Sequence, residues 1–163
     1  MKQYSLAIGL SFLMLGLTGC GAGSNDSFDE SFRVPISAVW FGDDAEVLTV
    51  YYADIAAEQT VGLGRVEQLG EKEGMLFSYV TAPAQPTFWM KDVDYPLDII
   101  WVSHGNIIGI TPNVQPEAAA TDLAEYTLYP APAEVDWVIE VPAGYAQTHG
   151  LELGDPFYYS LPE

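Results

Sequence analysis

Val47–Tyr52, Met75–Val80, Thr87–Lys91, Leu97–Ser103, Ile107–Thr111, Trp137–Val141 and Phe157–Ser160 are short runs rich in β-branched and aromatic residues, separated by Gly, Pro or Asp. Runs of this length and composition suit strands of a sheet and are too short for ordinary helices. Val47–Tyr52 also alternates at period two, which favours a strand with two distinct faces. One helix is expected at Ile55–Val61, with Asp54 as its N-cap and Gly62 and Gly64 as its stop. The clearest hairpin is Leu97–Thr111, where His104-Gly105-Asn106 tolerates positive φ. Between Pro112 and Trp137 lies a long connection with a helical turn expected within Glu117–Glu125. About seven short strands and one short helix predict a mainly β, single-domain fold, either a β-sandwich or a barrel-like sheet. A length of 163 residues agrees with one core.

The N-terminus has a different character. Met1–Gly19 holds one basic residue, Lys2, no acidic residue, and an apolar run centred on Ile8–Leu17. That is the profile of a cleavable signal peptide; a spanning helix would need roughly 20 predominantly apolar residues. Leu17-Thr18-Gly19-Cys20 resembles the bacterial lipobox, which implies diacylglycerol on Cys20 and cleavage just before it. Each buried acyl methylene is worth about 0.8 kcal/mol, so several chains anchor far more firmly than one. Cys20 is the only cysteine, so no internal disulfide and no Cys-rich metal site is expected. The expected organisation is a signal peptide over 1–19, a lipidated Cys20 with a flexible Gly/Ser/Asp-rich tether over 20–36, and a folded domain over 37–163. The corresponding location is the extracytoplasmic side of a membrane, with membrane lipid as a partner through Cys20.

Charge narrows the partners further. Cleavage before Cys20 leaves 4 Lys and Arg against 23 Asp and Glu, a formal charge of −19. Such a surface repels nucleic acid and anionic lipid, so nucleic-acid binding is excluded. The chain is not expected to be disordered, because 49% of its residues are hydrophobic.

Standard catalytic signatures are absent from the sequence. His104 and His149 lack HExxH or HxH spacing and both precede Gly, which suits turns; no metal site and no cofactor is expected. No G-x-S-x-G elbow or P-loop occurs. The unusual stretch is Pro86–Trp101, where Lys91 stands among Asp92, Asp94 and Asp98. As a strand it would put Trp89 and Lys91 on one face and Phe88 and Met90 on the other, with both Trp89 and Met90 mostly buried. Lys91 could fix a ligand carboxylate or simply form an exposed ion pair. Asp98 and Glu140 each interrupt an apolar strand, where an unpaired carboxylate is costly. They could form an acid/base pair or serve as buried partners of backbone amides.

Five blocks then follow in order: Gly74-Met75-Leu76-Phe77, Phe88-Trp89-Met90-Lys91, Pro96-Leu97-Asp98-Ile99-Ile100, Ile139-Glu140-Val141-Pro142-Ala143-Gly144, and Gly154-Asp155. In order and spacing they resemble the DUF192 (UPF0127) family of bacteria and archaea over roughly Val47–Tyr159. The pattern departs at Gly64, where the family has Met, at Arg65, which falls one place early, and at Asp92-Val93, where the family has Asn-Thr. The resemblance implies a mainly β domain with a short helix and carries no established activity, substrate or cofactor.

Two functional classes remain open. One is a binding module for a small molecule or an envelope protein, with Trp89, Lys91, Asp98, Trp101 and Glu140 as candidate ligand contacts. The other is a hydrolase-like enzyme using Asp98 and Glu140 with Lys91 as electrostatic support, and a purely structural envelope role stands beside both. Geometry discriminates: Lys91, Asp98 and Glu140 converging on one pocket would favour chemistry, and separate burial would favour binding or structure.

Overall fold

The computed structural model describes residues 35–42, 46–120 and 122–160. The expected signal peptide, Cys20 and nearly all of the tether lie outside them.

The strands are β1 (Pro35–Phe41), β2 (Leu48–Ala53), β3 (Glu73–Ser78), β4 (Thr87–Phe88), β5 (Leu97–Ser103), β6 (Asn106–Val114), β7 (Tyr129–Pro130), β8 (Trp137–Pro142) and β9 (Phe157–Ser160), with helices α1 (Ala56–Val61) and α2 (Tyr145–Thr148). Seven of them form one curled, half-barrel sheet in the order β6-β5-β8-β3-β2-β1-β9, and β4 pairs with β7 as a small separate ribbon. The mainly β expectation therefore holds in its barrel-like form. The sheet bends until its edges meet at one end: the Phe157 N–H donates to the Gly105 carbonyl at 2.9 Å, and the Ile107 N–H to the Asp155 carbonyl at 2.9 Å.

Local chemistry explains the connections. β2 and β3 are parallel, a pairing no tight turn can join, and α1 supplies the crossover between them. Gly62 ends α1 at φ +51° and donates its N–H to the Glu58 carbonyl at 2.8 Å. Asp54, expected to cap α1, lies one residue too early. Ile55 occupies the cap position without a side-chain bond, and Glu58 reaches back to accept the Asp54 N–H at 3.2 Å. The β5–β6 hairpin turns through His104 and Gly105, both at positive φ, as a two-residue loop that matches strand twist requires. The helical turn expected within Glu117–Glu125 is a single 3₁₀ turn at Leu123–Glu125, capped by the Asp122 carboxylate, which accepts the Ala124 N–H at 3.0 Å.

Period-two alternation gives the sheet two apolar faces. On one, Met75 and Phe77 of β3, Leu97, Ile99 and Trp101 of β5, and Val138 of β8 pack with Leu63, Phe88, Met90 and Val93. On the other, Leu76, Ile100, Val102, Ile139 and Val141 pack with Val39, Val50, Tyr145 and Phe157. Phe88 joins the first cluster by edge-to-face contact with Phe77 and Trp101, at centroid separations of 4.8 and 5.4 Å.

The strand expected over Thr87–Lys91 is shorter than the sequence suggests. Pairing covers only Thr87 and Phe88, after which Trp89–Lys91 leave the ladder and the chain turns at Asp92, at φ +60°. Met90 is buried at 1% exposure, and Trp89, of intermediate burial, keeps only a minor part of its surface exposed, as expected of both.

Candidate functional site

Glu140 sits at the centre of the first face. In β8 it is flanked across the sheet by Met75 of β3 and Ile99 of β5, so its side chain rises from the middle of an apolar surface. It keeps 5% of its surface exposed and makes no hydrogen bond or ion pair among the described residues. Burial alone pushes its carboxyl up to about 8, since a charged group loses its hydration there with nothing in exchange.

Above Glu140 the packing is incomplete. α1 and the segment around Thr87–Val93 flank a cleft of about 180 Å³ that Glu140 also lines. Its walls carry the rings of Phe77, Tyr79, Phe88 and Trp89, the aliphatic Val61, Leu63 and Val93, and the polar Gln59, Thr60, Thr87 and Lys91. Small-ligand sites combine apolar walls with a few polar groups that fix orientation, and this cleft carries both kinds, with a larger polar share than most. Gln59 is held by its side-chain amide donating to the Ser78 carbonyl at 2.9 Å, which fixes α1 against the end of β3.

The groups around Glu140 respond to it. The Tyr79 hydroxyl is pushed up to about 12, first by burial and then by the Glu140 charge. Tyr95, ahead of β5, is shifted upward by burial and then by Glu140, Tyr51 and Glu73, and its buried hydroxyl has no hydrogen-bond partner among the described residues. Lys91 is an exposed ion pair with Asp92, which raises its ammonium above the usual range first by hydrogen bonding and then by charge. A second groove, of about 380 Å³, shares Thr60, Val61, Trp89 and Lys91 with the cleft and adds Gly64, Arg65, Asp92 and Leu123.

Of the residues singled out in the sequence, Trp89, Lys91 and Glu140 meet at this cleft, while Asp98 and Trp101 do not line it. Trp101 is core: its ring is 1% exposed and its Nε1 donates to Thr111 Oγ1 at 2.9 Å. Asp98 is fully buried on the opposite face of the sheet. Its carboxylate accepts the N–H groups of Asn113 at 2.8 Å, Gly144 at 3.1 Å and Ala146 at 3.0 Å. It therefore ties β6 and the start of α2 to β5 through three of its acceptor sites, and it lines neither the cleft nor the adjoining groove. The sequence reading missed Gln59, Phe77 and Tyr79. Phe77 of β3 and Tyr79, one residue past its end, alternate with Met75, a local signal, but only the β3–β8 register puts that row beside Glu140.

No group of His, Cys, Asp or Glu among the described residues could hold a metal ion. His104 occupies the hairpin turn, and His149 ends α2, stacked on Tyr145 at a centroid separation of 4.0 Å.

Comparison with known proteins places this architecture. A solved protein of unknown function from Novosphingobium aromaticivorans is 31% identical, covers 76% of this chain and 85% of its own, and superposes with a TM-score of 0.68. A second, from Sinorhizobium meliloti and described as a candidate transcription regulator, is 25% identical over 78% of this chain and 97% of its own, with a TM-score of 0.67. None of the curated proteins matches. The family model of DUF192, described as Uncharacterized ACR, matches residues 38–158, and the chain therefore belongs to the DUF192 family.

Proposed function

We propose that this chain is a small-molecule-binding module held at the outer side of a membrane, with the ligand seated in the cleft over Glu140. The observation that carries the reading is the buried Glu140 carboxyl, without a partner among the described residues, at a cleft whose walls mix aromatic and aliphatic side chains with Gln59, Thr60, Thr87 and Lys91. A carboxyl so nearly buried, with no hydrogen-bonding partner among the described residues, adds nothing to stability that an apolar residue would not, and its remaining exposure is toward the cleft. Binding without chemistry is favoured because Asp98 and Glu140 lie on opposite faces of the sheet, which removes the acid/base pair an Asp98–Glu140 hydrolase needs. The regulator description of the Sinorhizobium relative is not carried over as nucleic-acid binding, because a net charge of −18 opposes it.

Anchoring rests on Leu17-Thr18-Gly19-Cys20 behind its apolar run. No helix among the described residues is long and apolar enough to cross a membrane. Changing Cys20→Ala is expected to move the protein from the membrane to the soluble fraction; unchanged fractionation would end the lipoprotein reading. The binding reading is tested by native mass spectrometry of full-length protein released gently from its own membranes. A reproducible small adduct that disappears in Phe88→Ala is expected. A bare chain mass, with no thermal shift across a small-metabolite set, would overturn it.

A further inference from the structure

The cleft has a charge logic that narrows its ligand. Glu140 is an acid with no basic side chain bonded to it, and the rings of Phe77, Tyr79, Phe88 and Trp89 line the same space. The negative faces of aromatic rings attract cations, and a carboxylate completes such a cage. Among the residues lining the cleft the one cation, Lys91, is ion-paired with Asp92, and both side chains are about half exposed, so water screens them from the interior; Arg65 stands beyond, at the adjoining groove. The chain as a whole carries −18, a field that draws cations toward it. A neutral ligand would satisfy Glu140 with one ordinary hydrogen bond, whereas a cation offsets its unfavourable burial by direct charge attraction at low dielectric, with or without an N–H to donate.

We propose that the cleft selects a small organic cation, an alkylammonium group caged by the Glu140 carboxylate and the rings of Phe77, Tyr79, Phe88 and Trp89, an inference that rests on the reading of the cleft as a ligand site. The size agrees: a cavity of about 150 Å³ accepts benzene, and this one is about 180 Å³. A head of quaternary-ammonium dimensions fits, and a longer substituent would leave along the groove beside Trp89, Arg65 and Lys91.

The arrangement also fixes the proton balance. Below about pH 8 Glu140 holds a proton when the cleft is empty, and an ammonium ion entering the cage displaces that proton to solvent. The titratable groups facing it, Tyr79 and Tyr95, stay neutral across this range because both are shifted upward, and Lys91 stays charged.

The test is calorimetric titration of the full-length protein in detergent with choline and with its neutral isostere 3,3-dimethylbutan-1-ol, at several pH values and in two buffers of different ionisation enthalpy. Choline is expected to bind at least about tenfold tighter than the alcohol, to release a proton to the buffer at pH 7, and to gain about tenfold in affinity for each unit that pH rises toward 8. Glu140→Gln should lose the preference for choline and keep the alcohol's affinity; if that variant fails to fold, proton release by the unaltered protein decides alone. Equal or tighter binding of the alcohol would overturn the cation inference and leave the cleft standing as a ligand site. Choline binding without proton release would overturn the assignment to Glu140. Failure of both probes, and of a fragment set read by Trp fluorescence, would overturn the inference and the binding reading together.

Discussion

Asp98 and Glu140 are the two buried carboxylates of the described residues, and they lie on adjacent strands facing opposite ways: Asp98 pairs with Val141, and Glu140 pairs with Ile99. Because side chains alternate along a strand, this register sends one carboxylate to each face of the sheet. Asp98 spends its lone pairs on three backbone N–H groups, while Glu140 makes no such bond and borders the cleft. The two residues look alike in sequence and do different work.

For Asp98 the expected consequence is structural. Asp98→Ala would leave the N–H groups of Asn113, Gly144 and Ala146 without their acceptor, the Ala146 bond buried and the other two partly buried. The cost should be on the order of 3–5 kcal/mol, read as a fall in the urea midpoint. Asp98→Asn should recover part of it, because one acceptor oxygen remains. An unchanged midpoint in the alanine variant would remove Asp98 from the list of residues holding β6 and α2 in place.

For Glu140 the expected consequence is a pH dependence. Its folded value, about 8, is above the ordinary 4.5, so the folded state binds the proton more tightly than the unfolded chain. The associated stability is fully present below about pH 4.5, is lost as pH rises through about 8, and changes little beyond. Over that window the loss should be on the order of a few kcal/mol. Glu140→Gln, which cannot ionise, should match the parent near pH 5 and exceed it in Tm near pH 9. Parallel Tm curves for the two proteins across pH 5–9 would contradict a strained, buried carboxyl.

Met90 and Trp89 should separate folding from binding. Met90→Ala empties a site that is 1% exposed and should cost about 2–5 kcal/mol. Trp89 is partly exposed and lines the cleft, so Trp89→Ala should cost clearly less stability and instead weaken ligand binding. Thermal melts give the first comparison and calorimetry the second; a larger Tm loss at Trp89 than at Met90 would reverse the assignment.

Salt should stabilise the domain. At −18, self-repulsion opposes the compact state, and in about 1 M sodium chloride the Debye length falls to about 3 Å. The Tm at pH 7 should rise between low and high sodium chloride. The rise should shrink near pH 4, close to the sequence pI of about 4.1. Equal slopes at both pH values would point to general exclusion from the surface in place of charge screening.

What the sequence determined by itself was local. The runs at Val47–Tyr52, Met75–Val80, Leu97–Ser103, Ile107–Thr111, Trp137–Val141 and Phe157–Ser160 each contain or overlap a strand, because period and composition are properties of neighbours along the chain. Gly62 ended α1 and His104-Gly105 turned the hairpin for the same reason, since positive φ is a requirement of single residues. Even Thr87–Lys91, a good strand by composition, stopped at Phe88 once β7 offered only two residues to pair with. Everything about the site depended on pairing between distant strands. That β8 lies between β5 and β3, and in which register, decides that Glu140 shares a face with Phe77 while Asp98 turns away. A one-residue slip of β8 would bring Glu140 onto the face of Asp98 without altering a single letter, and the packing of the two apolar faces opposes it.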